Sequence, residues 1–353
     1  MDGNQFNAIK ILFVAALGAG ISIIAAVPLV GLLYKIKFWK KRPRKKTITG
    51  EEATVFYSLH KEKEVSTPRG GGILIWSSVA ILIFALFFIS KFVEIPWIKG
   101  LNFLSRRETW LPLFALVAGS IVGLADDILE VLSIGKYIGG GMSFWRRLAI
   151  VILIGLIGGL WFYFKLEWDT IHIPLIGDFK IGALYIPLFI VVMVSSWTGG
   201  VVDGLDGLSG GVFAIIFGSF AIIALSQGKT DLAAFCGAII GALFTFLWFN
   251  IPPARFYMGE TGILGLTSAM AVVSFLTDSV LVLPIIAGIL VIEVSSVILQ
   301  LLSKKFKKKK ILLCAPIHHH FEAKGWPSYK VTMRFWVLQA VFAIIGTAIM
   351  LVR

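Results

Sequence analysis

Four groups of acidic and imidazole side chains could do chemistry: Asp126-Asp127, the run Asp203-Gly204-Leu205-Asp206, Glu260, and His318-His319-His320. Each lies at the end of a long apolar run or just outside one. A carboxylate at a membrane edge is costly to desolvate unless a cation meets it, so such residues are functional candidates. Adjacent carboxylates such as Asp126 and Asp127 repel each other and usually need a cation nearby. Oxygen donors select Mg²⁺ or Mn²⁺ over zinc or iron, and Mg²⁺ is typically held by one or two carboxylates plus substrate phosphates. Three consecutive histidines suit phosphate contact and proton transfer better than a tetrahedral zinc site. The implied chemistry is phosphoryl transfer, where positioning and electrostatics supply most of the rate. Plain structural readings stand beside these. The Asp-Gly-Leu-Asp-Gly run also reads as turn chemistry, and Glu260 as a first-turn acid opposing a helix dipole. Glu293, in the middle of an apolar run, reads as an interhelical hydrogen bond or ion pair. The Thr67-Pro68-Arg69-Gly70-Gly71-Gly72 stretch reads as a helix-start loop that also lets backbone approach a phosphate.

The elements that must position these groups follow from composition. Of 353 residues 58% are hydrophobic and 15% charged, with mean hydropathy +0.89, whereas soluble domains are about 25% charged. This excludes a soluble globular protein. Long apolar runs at approximately 9–34, 71–92, 110–125, 148–166, 183–199, 212–226, 231–249, 263–277, 280–303 and 335–352 predict ten membrane helices in an all-α, polytopic single domain spanning 1–353. Ten spans put both termini on one side. The segment 35–70 carries eleven Lys or Arg and 304–334 carries nine. With Lys136, Arg146, Arg147 and Arg255, 24 of 33 cationic side chains fall on one face, which the positive-inside rule makes cytoplasmic, with the termini outside. All four acid and histidine groups fall on that cytoplasmic face. The net charge of +13 sets topology rather than nucleic-acid binding, because the aromatic residues sit in apolar runs and not among the basic ones. Two cysteines, Cys236 and Cys314, indicate neither a disulfide framework nor a cysteine metal site. A transporter would place its acids near span centres, and here only Glu293 is deep.

These residues resemble the phospho-N-acetylmuramoyl-pentapeptide transferase branch of the polyprenyl-phosphate N-acetylhexosamine-1-phosphate transferases. The most specific element is Ala315-Pro316-Ile317-His318-His319-His320-Phe321-Glu322, followed by Lys324-Gly325-Trp326-Pro327 and Arg334-Phe335-Trp336. Asp126-Asp127, the Asp203 to Leu208 run, Phe249-Asn250, Pro253-Ala254 and Met258-Gly259 follow in order, and the likeness covers essentially the whole chain. It implies Mg²⁺-dependent transfer from UDP-N-acetylmuramoyl-pentapeptide to undecaprenyl phosphate in the bacterial cytoplasmic membrane, by a homodimer. It assigns catalysis to Asp126, Asp127 and His318, and the metal to Glu260. The nucleoside pocket falls to Asp203, Gly204, Leu205, Asp206, Asn250 and Tyr257, with His319 and His320 on the sugar-phosphate side and Arg147 near a second family lysine. The chain departs from the family pattern at five places. Glu260 replaces an aspartate, Gly200 an asparagine and Glu130 a lysine, while Arg147 stands near where a lysine is expected and Arg69 occupies the third place of the Thr-Pro element. A different hexosamine phosphate, or an inactive scaffold, are the competing readings.

Overall fold

The computed structural model describes residues 3–41, 43, 54–105, 108–134 and 141–352. Lys136 and the basic residues Arg42, Arg44, Lys45 and Lys46, used above to orient the chain, lie outside them. In chain order the helices are α1 (Gly3–Lys35), α2 (Thr54–Glu64), α3 (Gly72–Phe92), α4 (Pro96–Leu101), α5 (Trp110–Val131) and α6 (Phe144–Leu160). They continue with α7 (Tyr185–Thr198), α8 (Leu208–Ser226), α9 (Thr230–Asn250), α10 (Gly259–Leu276), α11 (Leu283–Ile286), α12 (Gly288–Lys307), α13 (Ile317–Ala323) and α14 (Ser328–Leu351). Among the described residues, nine helices are long and apolar enough to cross a membrane. The tenth long helix, α12, carries Glu293 and ends in Lys304, Lys305 and Lys307, which makes it less apolar than its neighbours. The protein is an all-α, multi-pass membrane protein with one small exception. Between α6 and α7 the strands β1 (Thr170–Ile173) and β2 (Gly177–Lys180) form an antiparallel hairpin, pairing His172 with Asp178.

Helix bounds depart from the apolar runs where polar residues continue a helical turn. Helix α5 runs on to Val131, carrying Asp126 and Asp127 inside its last turns, and α14 begins at Ser328, seven residues before the run at 335. The expected ninth span is broken near its start by the short α11, and α12 opens only at Gly288.

Helix α10 is the centre of the bundle: 94% of its apolar stretch is buried, against 22% for α1 at the periphery. It lies along α5 at backbone contact. A Cβ on Gly123 would sit 2.1 Å from the Glu260 carbonyl oxygen, and one on Gly265 would sit 2.0 Å from Ser120 Oγ. In lipid, where helix association draws on close packing rather than on water exclusion, such small residues let backbones approach. The Thr261 hydroxyl adds a bond of 2.9 Å to the Ser120 carbonyl. This crossing places the end of α5, with its two aspartates, against the start of α10, with Glu260. The start of α3 reaches the same point, because Gly71 and Gly72 donate their N–H groups to the carbonyls of Tyr257 (2.8 Å) and Met258 (2.9 Å).

Candidate active site

Asp127 is fully buried and accepts the backbone N–H groups of Glu260 (3.1 Å) and Thr261 (2.9 Å). The first N–H groups of a helix have no partner within it, and Met258, which precedes α10, caps none of them with its side chain. Asp127 therefore caps α10 from another helix, with its negative charge at the positive end of the helix dipole. Gly259 takes a left-handed backbone (φ 72°) at this turn, and a Cβ there would lie 2.5 Å from the Asp127 carboxylate. Glycine meets both demands.

Asp126, also fully buried, takes the Met142 N–H at 2.5 Å and the Arg147 guanidinium at 2.7 Å. Arg147, from the first turn of α6, reaches Glu260 as well at 2.9 Å. One forked cation thus joins two of the acids picked from sequence, a geometry the planar guanidinium suits better than an ammonium. The second oxygen of Glu260, Oε2, is buried and makes no hydrogen bond among the described residues.

The Asp203–Asp206 loop closes on the same place. Asp203 accepts the Ser209 hydroxyl (2.8 Å) and the Gly259 N–H (3.1 Å). Burial pushes its carboxyl up, against the opposing pull of Ser209, Arg69 and the Gly259 N–H. Asp206 accepts the Ala254 N–H at 3.4 Å, and its carbonyl takes the Thr332 hydroxyl from α14 at 3.1 Å. Asn250 spends its amide on shape: it accepts the Gly207 N–H (2.9 Å) and donates to the Phe256 carbonyl (2.8 Å). The Tyr257 phenol is pushed up by burial and then by the Asp206 charge. Its backbone N–H donates to the Pro68 carbonyl at 2.8 Å, which staples the Thr67–Gly72 loop to the loop before Glu260. Gly200 has a packing reason, since a Cβ there would lie 2.2 Å from the Ile263 side chain.

The three histidines separate. His318 is fully buried, with Nδ1 2.8 Å from Glu293 Oε2, and borders Gly204. His319 Nδ1 meets Glu322 Oε2 at 2.8 Å, and His60 Nε2 from α2 meets the same oxygen at 3.0 Å. His320 faces elsewhere, accepting the Leu313 N–H at 3.1 Å; no described contact brings it to the acids. Sequence reasoning did not pick out Ser209, Thr261, Glu322, or His60 as partners. Only Glu322, inside the histidine element, carried a sequence signal. From sequence, Glu130 reads as a charge reversal. It is ion-paired with Arg69 and, at 2.9 Å, with Lys40, and Lys40 also meets Glu64 at 3.0 Å. Arg69 thus supplies the cation that answers Glu130.

Burial, with a smaller contribution from His318, pulls His319 down to about 3. Burial alone would raise Glu322, but the bonds from His319 and His60 hold it at about 2. Both folded values lie below the unfolded ones, so both residues contribute stability at neutral pH. The His319 share is lost as pH falls from about 6.5 toward 3, and the Glu322 share between about 4.5 and 2. The melting temperature in detergent is expected to fall on going from about pH 7 to about pH 5, and His319→Gln to flatten that fall. An equal fall in the variant would show that His319 is not responsible.

A family model for Glycosyl transferase family 4 matches residues 109–278, from just before α5 to just after α10. Several curated relatives are similar over most of the chain. One is the phospho-N-acetylmuramoyl-pentapeptide-transferase of Anoxybacillus flavithermus, 32% identical over 95% of this chain and 96% of its own length. The protein of the same name from Bacillus subtilis is 32% identical over 95% and 96%, and that from Lactiplantibacillus plantarum 35% over 81% and 85%.

Proposed function

The chain belongs to the phospho-N-acetylmuramoyl-pentapeptide-transferase family, and from that membership we propose that it transfers phospho-N-acetylmuramoyl-pentapeptide from UDP to undecaprenyl phosphate. The products are lipid I and UMP, made on the cytoplasmic face of the bacterial inner membrane by a single transferase domain, with both termini outside and the chain paired as a homodimer. The observation that supports this most is the meeting of Asp126, Asp127, Asp203 and Glu260 with Arg147 and Arg69 at one end of the bundle.

In the reaction, a phosphate oxygen of the lipid attacks the β-phosphorus of the UDP-sugar. The bond from that phosphorus to the bridging oxygen breaks, and UMP leaves with the oxygen. Family resemblance assigns removal of the lipid-phosphate proton to Asp126 or Asp127, and Asp127 also holds Glu260 in register through its bonds to the start of α10. Arg147 and Arg69 offset the charge that a pyrophosphate brings to a carboxylate-rich site. The Asp203–Asp206 loop, shaped by Asn250 and Tyr257, receives the nucleoside, and His318 and His319 border it on the sugar-phosphate side. The oxygen donors fit Mg²⁺, and the buried Glu260 Oε2, without a hydrogen-bond partner among the described residues, is the donor best placed for it. When bound, Mg²⁺ would neutralise charge on the leaving UMP. Direct attack and a two-step route through an aspartyl phosphate use the same residues. Labelled enzyme trapped with the lipid withheld would rule out the direct route.

Glu260→Asp keeps the carboxylate and loses one methylene, so turnover within about tenfold of wild type or above it is expected. A complete loss would show that Arg147 and the metal site depend on the longer side chain. The substrate reading is tested by mass spectrometry of the lipid product from purified protein offered UDP-N-acetylmuramoyl-pentapeptide and UDP-N-acetylglucosamine together. The muramoyl-pentapeptide lipid is expected; an N-acetylglucosamine lipid alone would contradict the reading.

A further inference from the structure

Glu293 is a fully buried carboxylate on α12 that touches none of the four acids of the site. Its Oε2 lies 2.8 Å from His318 Nδ1, and neither side chain has exposed surface. One turn further along α12, the Ser296 hydroxyl donates to the Glu293 carbonyl at 2.6 Å and accepts the Ile317 N–H at 2.9 Å. Two tethers therefore pin the start of α13 to α12, one through the backbone of Ile317 and one through the ring of His318.

The chemistry of the second tether is directional. With the carboxylate as acceptor, Nδ1 carries the proton and the other ring nitrogen is left to act. That other nitrogen, Nε2, is buried and has no hydrogen-bond partner among the described residues. It points at the loop of Asp203. A Cβ on Gly204 would lie 2.2 Å from Nε2 and 2.9 Å from the adjacent ring carbon, so the imidazole takes the place a side chain at 204 would need and Nε2 lies against the glycine backbone. A tether with a purely structural purpose would not require a buried, unpartnered nitrogen on its far side, which is costly unless something fills it. The other Glu293 oxygen, Oε1, is likewise buried without a hydrogen bond, so the His318 ring is the one described partner of this carboxylate.

We infer that Glu293 is a positioning residue for the transfer reaction: it fixes the orientation and tautomer of His318 so that Nε2 faces the Asp203–Gly204 loop, ready to take or hold a proton of the bound substrate. This rests on the transferase reading above. The orienting carboxylate behind a working imidazole is a recurrent arrangement, and removing the orienter lowers turnover without disturbing the fold.

The test compares UMP release by the full-length protein and three variants in nanodiscs, with UDP-N-acetylmuramoyl-pentapeptide, undecaprenyl phosphate and Mg²⁺. Glu293→Gln preserves shape but offers His318 an amide in place of the carboxylate. It is expected to lower kcat by about 10- to 100-fold while KM for the UDP-sugar stays within about threefold. His318→Ala is expected to be slower still, and adding Glu293→Gln to it to change the residual turnover no further. Full kcat in Glu293→Gln, or an equal further loss in the His318→Ala background, overturns the proposal. Full turnover in His318→Ala would overturn the assignment of His318 itself, and with it this inference. If Glu293→Gln fails to fold, ¹⁵N NMR of the histidine-labelled wild type decides, the His318 signals being those lost in His318→Ala. Nδ1 is expected to carry the proton; a ring protonated at Nε2 alone would overturn the proposal.

Discussion

Asp127→Asn is expected to lower turnover by roughly 10²- to 10⁴-fold, the range associated with a lost acid–base group, and to lower stability by about 1–3 kcal/mol. The two effects have one structural origin. Both Asp127 oxygens accept backbone N–H groups, from Glu260 and Thr261. Asparagine offers one acceptor and turns a donor toward the remaining N–H, so one orphan group at the start of α10 is left unmet. The charge opposite the helix dipole is also lost. Glu260 rides on that first turn, so a loosened cap displaces the proposed metal ligand as well as removing a candidate base. Thermal unfolding in detergent reads the first effect and UMP release the second. Full activity with a lowered melting temperature would show that Asp127 is a cap and nothing more.

The second large effect is expected at Glu130. Its carboxylate lies between Arg69 and Lys40 and is only 8% exposed, so Glu130→Lys would crowd three cations into a buried site. Breaking a buried ion pair by changing one partner costs on the order of 3–5 kcal/mol, and loss of the folded protein or of most activity is expected. Adding Arg69→Glu restores one opposite-charge pair, and the double variant is expected to recover much of the lost stability. That recovery, measured as a double-mutant cycle, would show coupling between the two positions. Additive losses would show that each residue acts alone. Arg69 is also held by its backbone, whose N–H donates to the Phe38 carbonyl at 2.8 Å. Its loop is stapled to Tyr257 and Met258, so its cation is presented to the site from a fixed support.

The two positions also illustrate what sequence could and could not convey. Each was legible singly as a departure from a family pattern, Glu130 as a reversed charge and Arg69 as an unexpected residue. That they answer one another depends on the meeting of α5 with the loop before α3, which no local spacing encodes. The long apolar runs announced the helices, because a membrane span must be apolar for about 20 residues. Their ends were less legible. The first turns of α14 and the last turns of α5 are helical through tertiary contact while their residues are polar. The β1–β2 hairpin is too short to rise above the apolar background, and the break between α11 and α12 is marked locally only by Pro284 and Gly288 inside an otherwise apolar run.

For the site, the gathering of the acids at one end of the bundle followed from counting spans. The work of individual oxygens did not. That Asp127 is spent on the α10 backbone, that Arg147 forks between Asp126 and Glu260, and that Asn250 shapes the loop are all products of the α5–α10 crossing. The three histidines read as a unit, yet they point to Glu293, to Glu322 and to the Leu313 backbone. Consecutive residues on a helix face different directions, roughly 100° apart. Glu293, read as an interhelical contact, is one, and the residue it contacts is His318.

Release of UMP reports most directly whether the four groups form one lipid-dependent transferase site. Purified protein in nanodiscs would be given UDP-N-acetylmuramoyl-pentapeptide and Mg²⁺, with and without undecaprenyl phosphate, alongside Asp127→Asn. UMP release that requires the lipid and collapses in the variant is the predicted result. No release by the wild type with lipid present, or release unchanged in Asp127→Asn, would contradict it.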